Sequence, residues 1–185
     1  MSTAARDAIV EAAFRLFLER GYDSTSLARI LESVPYSKGA VYHHFTSKEA
    51  LLDAVIERFF TVHLDSASSI RPVHARPLAH RMVDDHVDAF DAVAPYATPL
   101  AYHAFLTSVA VRATEAVRAA HGAAVDELTE ALIAQGEPRA RARHIAGDII
   151  ALIEGTSVVA VLRGDQIDRR ELHAAVDRML ALLSL

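Results

Sequence analysis

The sequence predicts an all-α fold, with short helices at the N-terminus and a larger helical body behind them. Three observations carry the prediction. Apolar residues recur at helical spacing along most of the chain. Glycine and proline are scarce, at 7 and 6, and Gly21, Pro35, Gly136 and Gly164 fall between the periodic segments, while serine, threonine or aspartate opens several apolar runs. No internal repeat or low-complexity tract interrupts the pattern. The run Val158–Leu162 would suit a strand, but it continues a longer helical period and is assigned to a helix.

Ile9, Ala12, Ala13, Leu16 and Phe17 form one apolar stripe, and Gly21 follows as a stop, which predicts a first helix over 4–20. A short second helix is expected over 26–33, with Leu27, Ile30 and Leu31 inward and Thr25 or Ser26 as N-cap. Pro35 pushes Val34 out of helical geometry and ends it. Ser37 caps a third helix over 38–44, with Val41 inward and Phe45 closing it. Thr46-Ser47-Lys48-Glu49 reads as a capping box, Thr46 at N-cap and Glu49 at N3, opening a fourth helix from Ser47 towards residue 65. A turn region follows from Ser66 to Pro77. Further helices are expected over 78–93, 97–106 and 109–135, with Pro95 and Pro99 breaking that stretch. Pro138 suits the first position of a helix over 138–163 that Gly164 ends, and Asp168 with Glu171 caps a last helix reaching Leu183.

A chain of 185 residues that is 52% hydrophobic and 23% charged folds rather than staying disordered. The absence of cysteine excludes disulfides, thiolate nucleophiles and Cys-based zinc sites. Arg6, Asp7, Glu11 and Arg15 interrupt any signal-peptide core, and no apolar run approaches the ~18 residues that span a bilayer. A soluble, cytoplasmic protein without a membrane partner is expected. The net charge of −5 weighs against nucleic acid, because non-specific affinity comes from neutralising phosphates. A DNA-binding reading must therefore rest on where a few donors are placed.

Two short helices joined by a tight turn, braced by a longer preceding helix, form a helix-turn-helix. The second of them must carry small and polar groups outward to enter a major groove. Ser37, Lys38, Gly39, Ala40 and His43 fit that face, and Gly39 and Ala40 allow close backbone approach. Tyr42 adds an outward phenol, whereas Phe45 suits the core. Lys48 lies in the first turn of the fourth helix, where its charge and the free amides favour one anion; a solvated lysine fits the same position. Arg29 and Arg6 are the other positive groups nearby.

Gly21-Tyr22-Asp23-Ser24-Thr25-Ser26, then Ile30, then Ser37 through Phe45, then Ser47-Lys48-Glu49-Ala50-Leu51 resemble the DNA-binding domain of the TetR family of transcriptional regulators, over roughly residues 5–56. The resemblance implies phosphate contacts from Thr25, Tyr42 and Lys48, with Ser37, Lys38, Ala40 and His43 facing the groove. Ser26 and Gly39 complete the expected DNA-binding set. The turn departs from the family: Val34-Pro35-Tyr36 stands where an Ala-Gly-aliphatic sequence is usual. Glycine accepts positive φ and proline is locked near −65°, so this turn must be closed differently.

The helix over 138–163 is apolar on more than one side, through Ile145, Ile149, Leu152, Ile153 and Ala160 and, on adjacent faces, Ile150, Val158, Val161 and Leu162. Its own domain covers one face, so a second subunit is the economical cover for the rest. With Leu172, Val176, Met179, Leu180 and Leu183 of the last helix, it would form a four-helix homodimer interface through 138–163 and 168–183. Residues 55–135 hold most remaining aromatics, mixed with histidines, and the resemblance implies a small-molecule effector there. Phe59, His63, His86, Phe90, Tyr102, His103 and Phe105 are the expected ligand-binding residues; a core with satisfied histidines accounts for the same set.

His80, Asp84 and Asp88 share helical spacing near His86, but no Glu-x-x-His pair accompanies them, and a solvated Asp84-Asp85-Asp88 face explains them. No metal, cofactor or catalytic set is expected. The sequence therefore reads as an N-terminal three-helix helix-turn-helix DNA-binding domain (1–47) plus a C-terminal helical ligand-binding and dimerisation domain (48–185). Its expected role is a ligand-responsive transcriptional repressor, not an enzyme. It would bind a pseudo-palindromic double-stranded DNA operator as a homodimer and be released by a small-molecule effector. A helical-bundle enzyme or metal protein without DNA binding is the competing reading.

Overall fold

The computed structural model describes residues 3–58, 74–112 and 114–181, and among them the regular elements are helical, with no strand. In chain order they are α1 (Thr3–Arg20), α2 (Leu27–Glu32), α3 (Lys38–His44), α4 (Lys48–Ile56), α5 (Ala75–Val93), α6 (Pro99–Arg112), α7 (Thr114–Ala134), α8 (Arg139–Arg163) and α9 (Arg169–Ala181). They fall into two compact units, Met1–Ser66 with Pro95–Thr114, and Ala67–Ala94 with Glu115–Leu185. The first unit thus takes in α4 and α6 as well as α1, α2 and α3.

In the first unit α1 buries Ile9, Val10, Ala13, Phe14, Phe17 and Leu18. Ala12 and Leu16 are only half-buried, so the buried face is turned from the expected stripe. The reason is tertiary: α2, α3, α4 and α6 all pack on α1. Phe105 of α6 lies parallel to Phe17, ring centroids 6.3 Å apart, and edge-on to Phe14 at 5.7 Å. Pro99 begins α6 rather than breaking a helix, because Thr98 Oγ1 accepts the Ala101 N–H at 3.2 Å and a first-turn residue needs no amide proton.

In the second unit Leu78, Val83, Val87, Leu128, Leu132, Ile145, Ile149, Ile153, Leu172, Val176 and Leu180 form one core. α5 starts at Ala75, ahead of the expected position, so Pro77 lies inside its first turn. Pro138 is extended at φ −60°, ψ 137°, and caps α8 rather than opening it. Gly164 ends α8 at φ 76°; its N–H donates to the Val161 carbonyl at 3.1 Å, and Asp165 N–H to that of Ala160 at 2.9 Å. Asp168 caps α9 by accepting from the amides of Arg170 and Glu171 at 2.9 and 3.2 Å.

Two expectations need correcting here. α8 is long and apolar enough to cross a membrane, with an 18-residue stretch of mean hydropathy 1.9. Asp148 and Glu154 interrupt its apolar residues, yet the isoleucines, valines and leucines around them hold that mean at 1.9. The acidic face of α5 is not simply solvated. Arg169 of α9 pairs with Asp84 at 3.1 Å, with Asp88, and with Asp91 at 3.4 Å; His173 approaches Asp84 at 3.1 Å. His80 stacks on His173, ring centroids 4.4 Å apart, and contacts Asp177 at 2.8 Å. Charge pairing therefore joins α5 to α9 beside their apolar contacts.

Candidate nucleic-acid interface

The site is assembled from local stops and caps. Gly21 ends α1 at φ 79°, its N–H donating to the Phe17 carbonyl at 2.9 Å. The chain then turns so that Tyr22 is buried against Phe17, centroids 5.2 Å apart. Three serines start the next three helices. Ser26, Ser37 and Ser47 each accept, through the hydroxyl oxygen, the amide of the residue three further on, at 3.2, 3.2 and 3.1 Å. A hydroxyl that accepts keeps its own proton to donate outward, so the exposed Ser26 and Ser37 combine capping with a phosphate-ready donor. At α4 the cap is Ser47 rather than Thr46, which places Glu49 at N2 instead of N3.

The turn between α2 and α3 is closed without glycine. Ser33 keeps ordinary right-handed geometry, φ −90° and ψ −5°, and both its N–H and its hydroxyl donate to the Ile30 carbonyl, at 3.1 and 2.7 Å. A doubly bonded serine does what a left-handed glycine would do, and Pro35 follows where no further helical amide is needed. Val41 and Phe45 are buried and seat α3; the Arg6 guanidinium lies over the Phe45 ring at 5.6 Å and pairs with Glu57 at 3.4 Å.

On the outer side of α3, Ser37, Lys38, Gly39, Tyr42 and His43 are exposed and Ala40 is half-buried. Tyr42 exposes 41% of its surface, so its phenol points out. Lys38 Nζ sits 5.8 Å from the Tyr42 ring, one helical turn away. A Cβ added at Gly39 would meet nothing within 4 Å, so glycine there serves to keep the helix surface low. These residues form one thin, polar ridge whose positive charge comes from Lys38.

Thr25 and Lys48 sit differently. Thr25 is fully buried; its hydroxyl donates to the Gly21 carbonyl at 2.8 Å and lies 3.2 Å from that of Leu16, and its N–H reaches the Tyr22 carbonyl. A phosphate contact through Thr25 requires that proton to leave those carbonyls. Lys48 Nζ donates to the Tyr22 carbonyl at 2.9 Å and lies 4.1 Å from the Tyr22 ring centroid. An ammonium has three protons, so two remain for an anion. The Tyr22 hydroxyl donates to Glu49 at 3.3 Å, and burial pushes that phenol's pKa up. Glu49 is held below the usual carboxylate range chiefly by a backbone hydrogen bond, then by the Ser47 hydroxyl. Tyr22 and Ser33 are the residues that sequence reasoning did not place in the site. The signal for Tyr22 was its place inside the motif, and that for Ser33 its position at the end of the second helix.

Residues 9–55 match the family model described as bacterial regulatory proteins, tetR family. The N-terminal segment of this chain is thus similar to the tetR family. Within it, the chain is 47% identical over 51 residues to the HTH-type transcriptional regulator UidR of Escherichia coli K12, covering 28% of this chain and 26% of UidR. It is 39% identical over 59 residues to the HTH-type transcriptional repressor DhaR of Mycobacterium sp. GP1, covering 32% of this chain and 30% of DhaR. The matched stretch thus spans less than a third of either relative. The TetR-family regulator CifR, solved with a 26-base-pair operator duplex, shares the fold at a TM-score of 0.62 and 24% identity, over 95% of this chain and 94% of that one. TetR-like architecture therefore extends over nearly the whole chain as fold, and as sequence only over the segment that carries the ridge.

The candidate ligand residues are distributed over both units. Phe59 and His63 lie outside the described residues. In the second unit His86 Nε2 is 2.9 Å from Ser157 Oγ, whose hydroxyl donates to the Ile153 carbonyl at 3.0 Å. With that proton committed, His86 must donate through Nε2, leaving Nδ1 as the acceptor. Burial pushes its pKa down to about 4, so it is neutral at pH 7. Phe90 is buried beside it, ring centroids 5.4 Å apart. In the first unit Tyr102 is buried, its phenol pushed up to about 12, while Phe105 packs on α1 and His103 is half-buried.

Proposed function

We propose that this chain is a ligand-responsive transcriptional repressor that reads a pseudo-palindromic operator as a homodimer and is released by a small-molecule effector. The observation that carries the reading is the α3 ridge: Ser37, Lys38, Gly39, Tyr42 and His43 exposed on a capped helix whose opposite side is pinned by Val41. Ser26, Ala40, Lys48 and Thr25 frame it. The family match over residues 9–55, the repressor name carried by DhaR and the operator duplex bound to CifR support the same reading. Residues 1–47 would read DNA, and 48–185 would bind effector and dimerise, in a cytoplasmic protein that is not an enzyme.

Dimerisation follows from charge and from α8. With a net charge of −5 and few cations on the ridge, one subunit gains little from phosphate neutralisation, and pairing doubles the contacts. On α8, Ala151, Gly155, Val159 and Leu162 form an outward stripe, with Val159 46% and Leu162 69% exposed. A Cβ at Gly147 or Gly155 meets nothing within 4 Å, so a second helix has room to approach closely. Covering that stripe with its copy, beside α9, gives the interface through 138–163 and 168–183 and makes α8 a core helix rather than a membrane span. An effector reaching His86 or Phe90 would meet a neutral imidazole in an apolar wall, which suits a hydrogen-bonding rather than an ionic partner.

Fluorescence anisotropy with duplexes from the promoter flanking the chain's own gene tests the reading. Specific, salt-sensitive binding is expected, lost in a Lys38→Ala, Tyr42→Ala double variant that keeps its helical circular dichroism. Absence of specific binding by the wild type, or an unchanged affinity in the double variant, overturns it.

A further inference from the structure

Phe14, Phe105, Phe17 and Tyr22 form a continuous series of ring contacts in the first unit, at 5.7, 6.3 and 5.2 Å. Two cations lie over the last ring. Lys48 Nζ is 4.1 Å from the Tyr22 centroid, and the Arg112 guanidinium carbon is 4.6 Å from it. Arg112 also donates to Asp23 Oδ1 at 2.6 Å. It therefore holds the side chains on both sides of the Tyr22–Asp23 peptide bond. The oxygen of that same peptide is the one that accepts from Lys48 Nζ at 2.9 Å.

α6 delivers Arg112 to this place. Tyr102, Phe105 and Val109 are its buried residues, and Arg112 follows one turn later on the same face. Two like charges on one ring are tolerated because Asp23 offsets Arg112 and the Tyr22 hydroxyl leads on to Glu49. We propose that Arg112 is a positioning residue through which Lys48 is aimed at a DNA phosphate. It fixes the Tyr22–Asp23 peptide, whose oxygen aims the ammonium, and itself touches neither phosphate nor base. The inference rests on the reading of the chain as a DNA-binding protein.

The test is a double-mutant cycle on the full chain, Arg112→Ala and Lys48→Ala, measured by anisotropy on the same promoter duplex over a salt series. Arg112→Ala alone weakens binding about three- to tenfold, the scale of one cation–π and ion-pair anchor. Lys48→Ala lowers the salt slope by about 0.9 for each phosphate it no longer neutralises. In the Lys48→Ala background, Arg112→Ala changes neither affinity nor slope. A further fall in slope there would mean that Arg112 meets DNA itself, and an unchanged affinity in the single Arg112→Ala variant would mean that it positions nothing; either overturns the proposal.

A second measurement separates this proposal from the DNA reading. Lys38 and Lys48 are the only lysines of the sequence, so reductive ¹³C-methylation gives each its own side-chain signal. The Tyr22 ring displaces that of Lys48. Arg112→Ala shifts the Lys48 signal towards an unstacked position and leaves that of Lys38 in place. A Lys48 signal that does not move refutes the positioning role even where the wild type binds DNA. If the wild type binds no duplex but the signal moves, the DNA reading fails while the Arg112–Tyr22–Lys48 linkage stands.

Discussion

Acidification from pH 7 to 4.5 should remove about 2 kcal/mol of stability through His86 alone. The imidazole is pushed down to about 4 by burial between α5 and α8, where its Nε2–H meets Ser157. In the unfolded chain it titrates near 6.5, and each unit of difference is worth about 1.4 kcal/mol, so the full effect is about 3 kcal/mol. The sign follows from which state takes the proton first. As pH falls, the unfolded chain is protonated through about 6.5 while the folded chain stays neutral until about 4. The stability is therefore intact above 6.5, drains away between 6.5 and 4, and is fully lost below 4. Urea unfolding at fixed protomer concentration, at pH 7 and 4.5, on wild type and His86→Gln, isolates the contribution. Glutamine keeps an N–H for Ser157 but does not titrate, and the other histidines and carboxylates cancel in the comparison. The wild type should lose about 2 kcal/mol more than the variant. Equal losses in the two proteins would refute a buried, neutral His86.

Two further outcomes follow from the packing. Leu162→Arg together with Val159→Arg should give a monomer in sedimentation velocity, with helical circular dichroism retained and operator binding lost; a persistent dimer would exclude the outward face of α8 as the interface. Ser33→Ala should cost about 1 kcal/mol in urea unfolding, because the hydroxyl is one of two donors closing the turn on the Ile30 carbonyl. It should also weaken operator binding by misplacing α3, and an unaltered affinity would show that the backbone bond alone holds the turn.

The short helices were legible in the sequence because what starts and stops them is local. Ser37 and Ser26 cap through bonds to residues three further on, Gly21 and Gly164 stop helices by their own backbone freedom, and Val41 and Phe45 turn inward by period alone. Interactions of that range are written in neighbouring residues. The same locality explains the small errors at Thr46 and Pro138, where two adjacent residues suited the cap and only the surrounding chain chose between them.

What the sequence by itself determined was the element type, the apolar faces and the outward chemistry of α3. What only the tertiary structure decided was partnership. Periodicity says that Phe105 is buried, not that it stacks on Phe17; composition counts Arg112 and Arg169 as charges, not as the groups that hold the Tyr22–Asp23 peptide and the α5 carboxylates. Apolar burial is non-directional, and long cationic side chains take whichever carboxylate or ring the fold brings within reach. Pairings between residues distant in sequence are therefore settled only when the helices have packed.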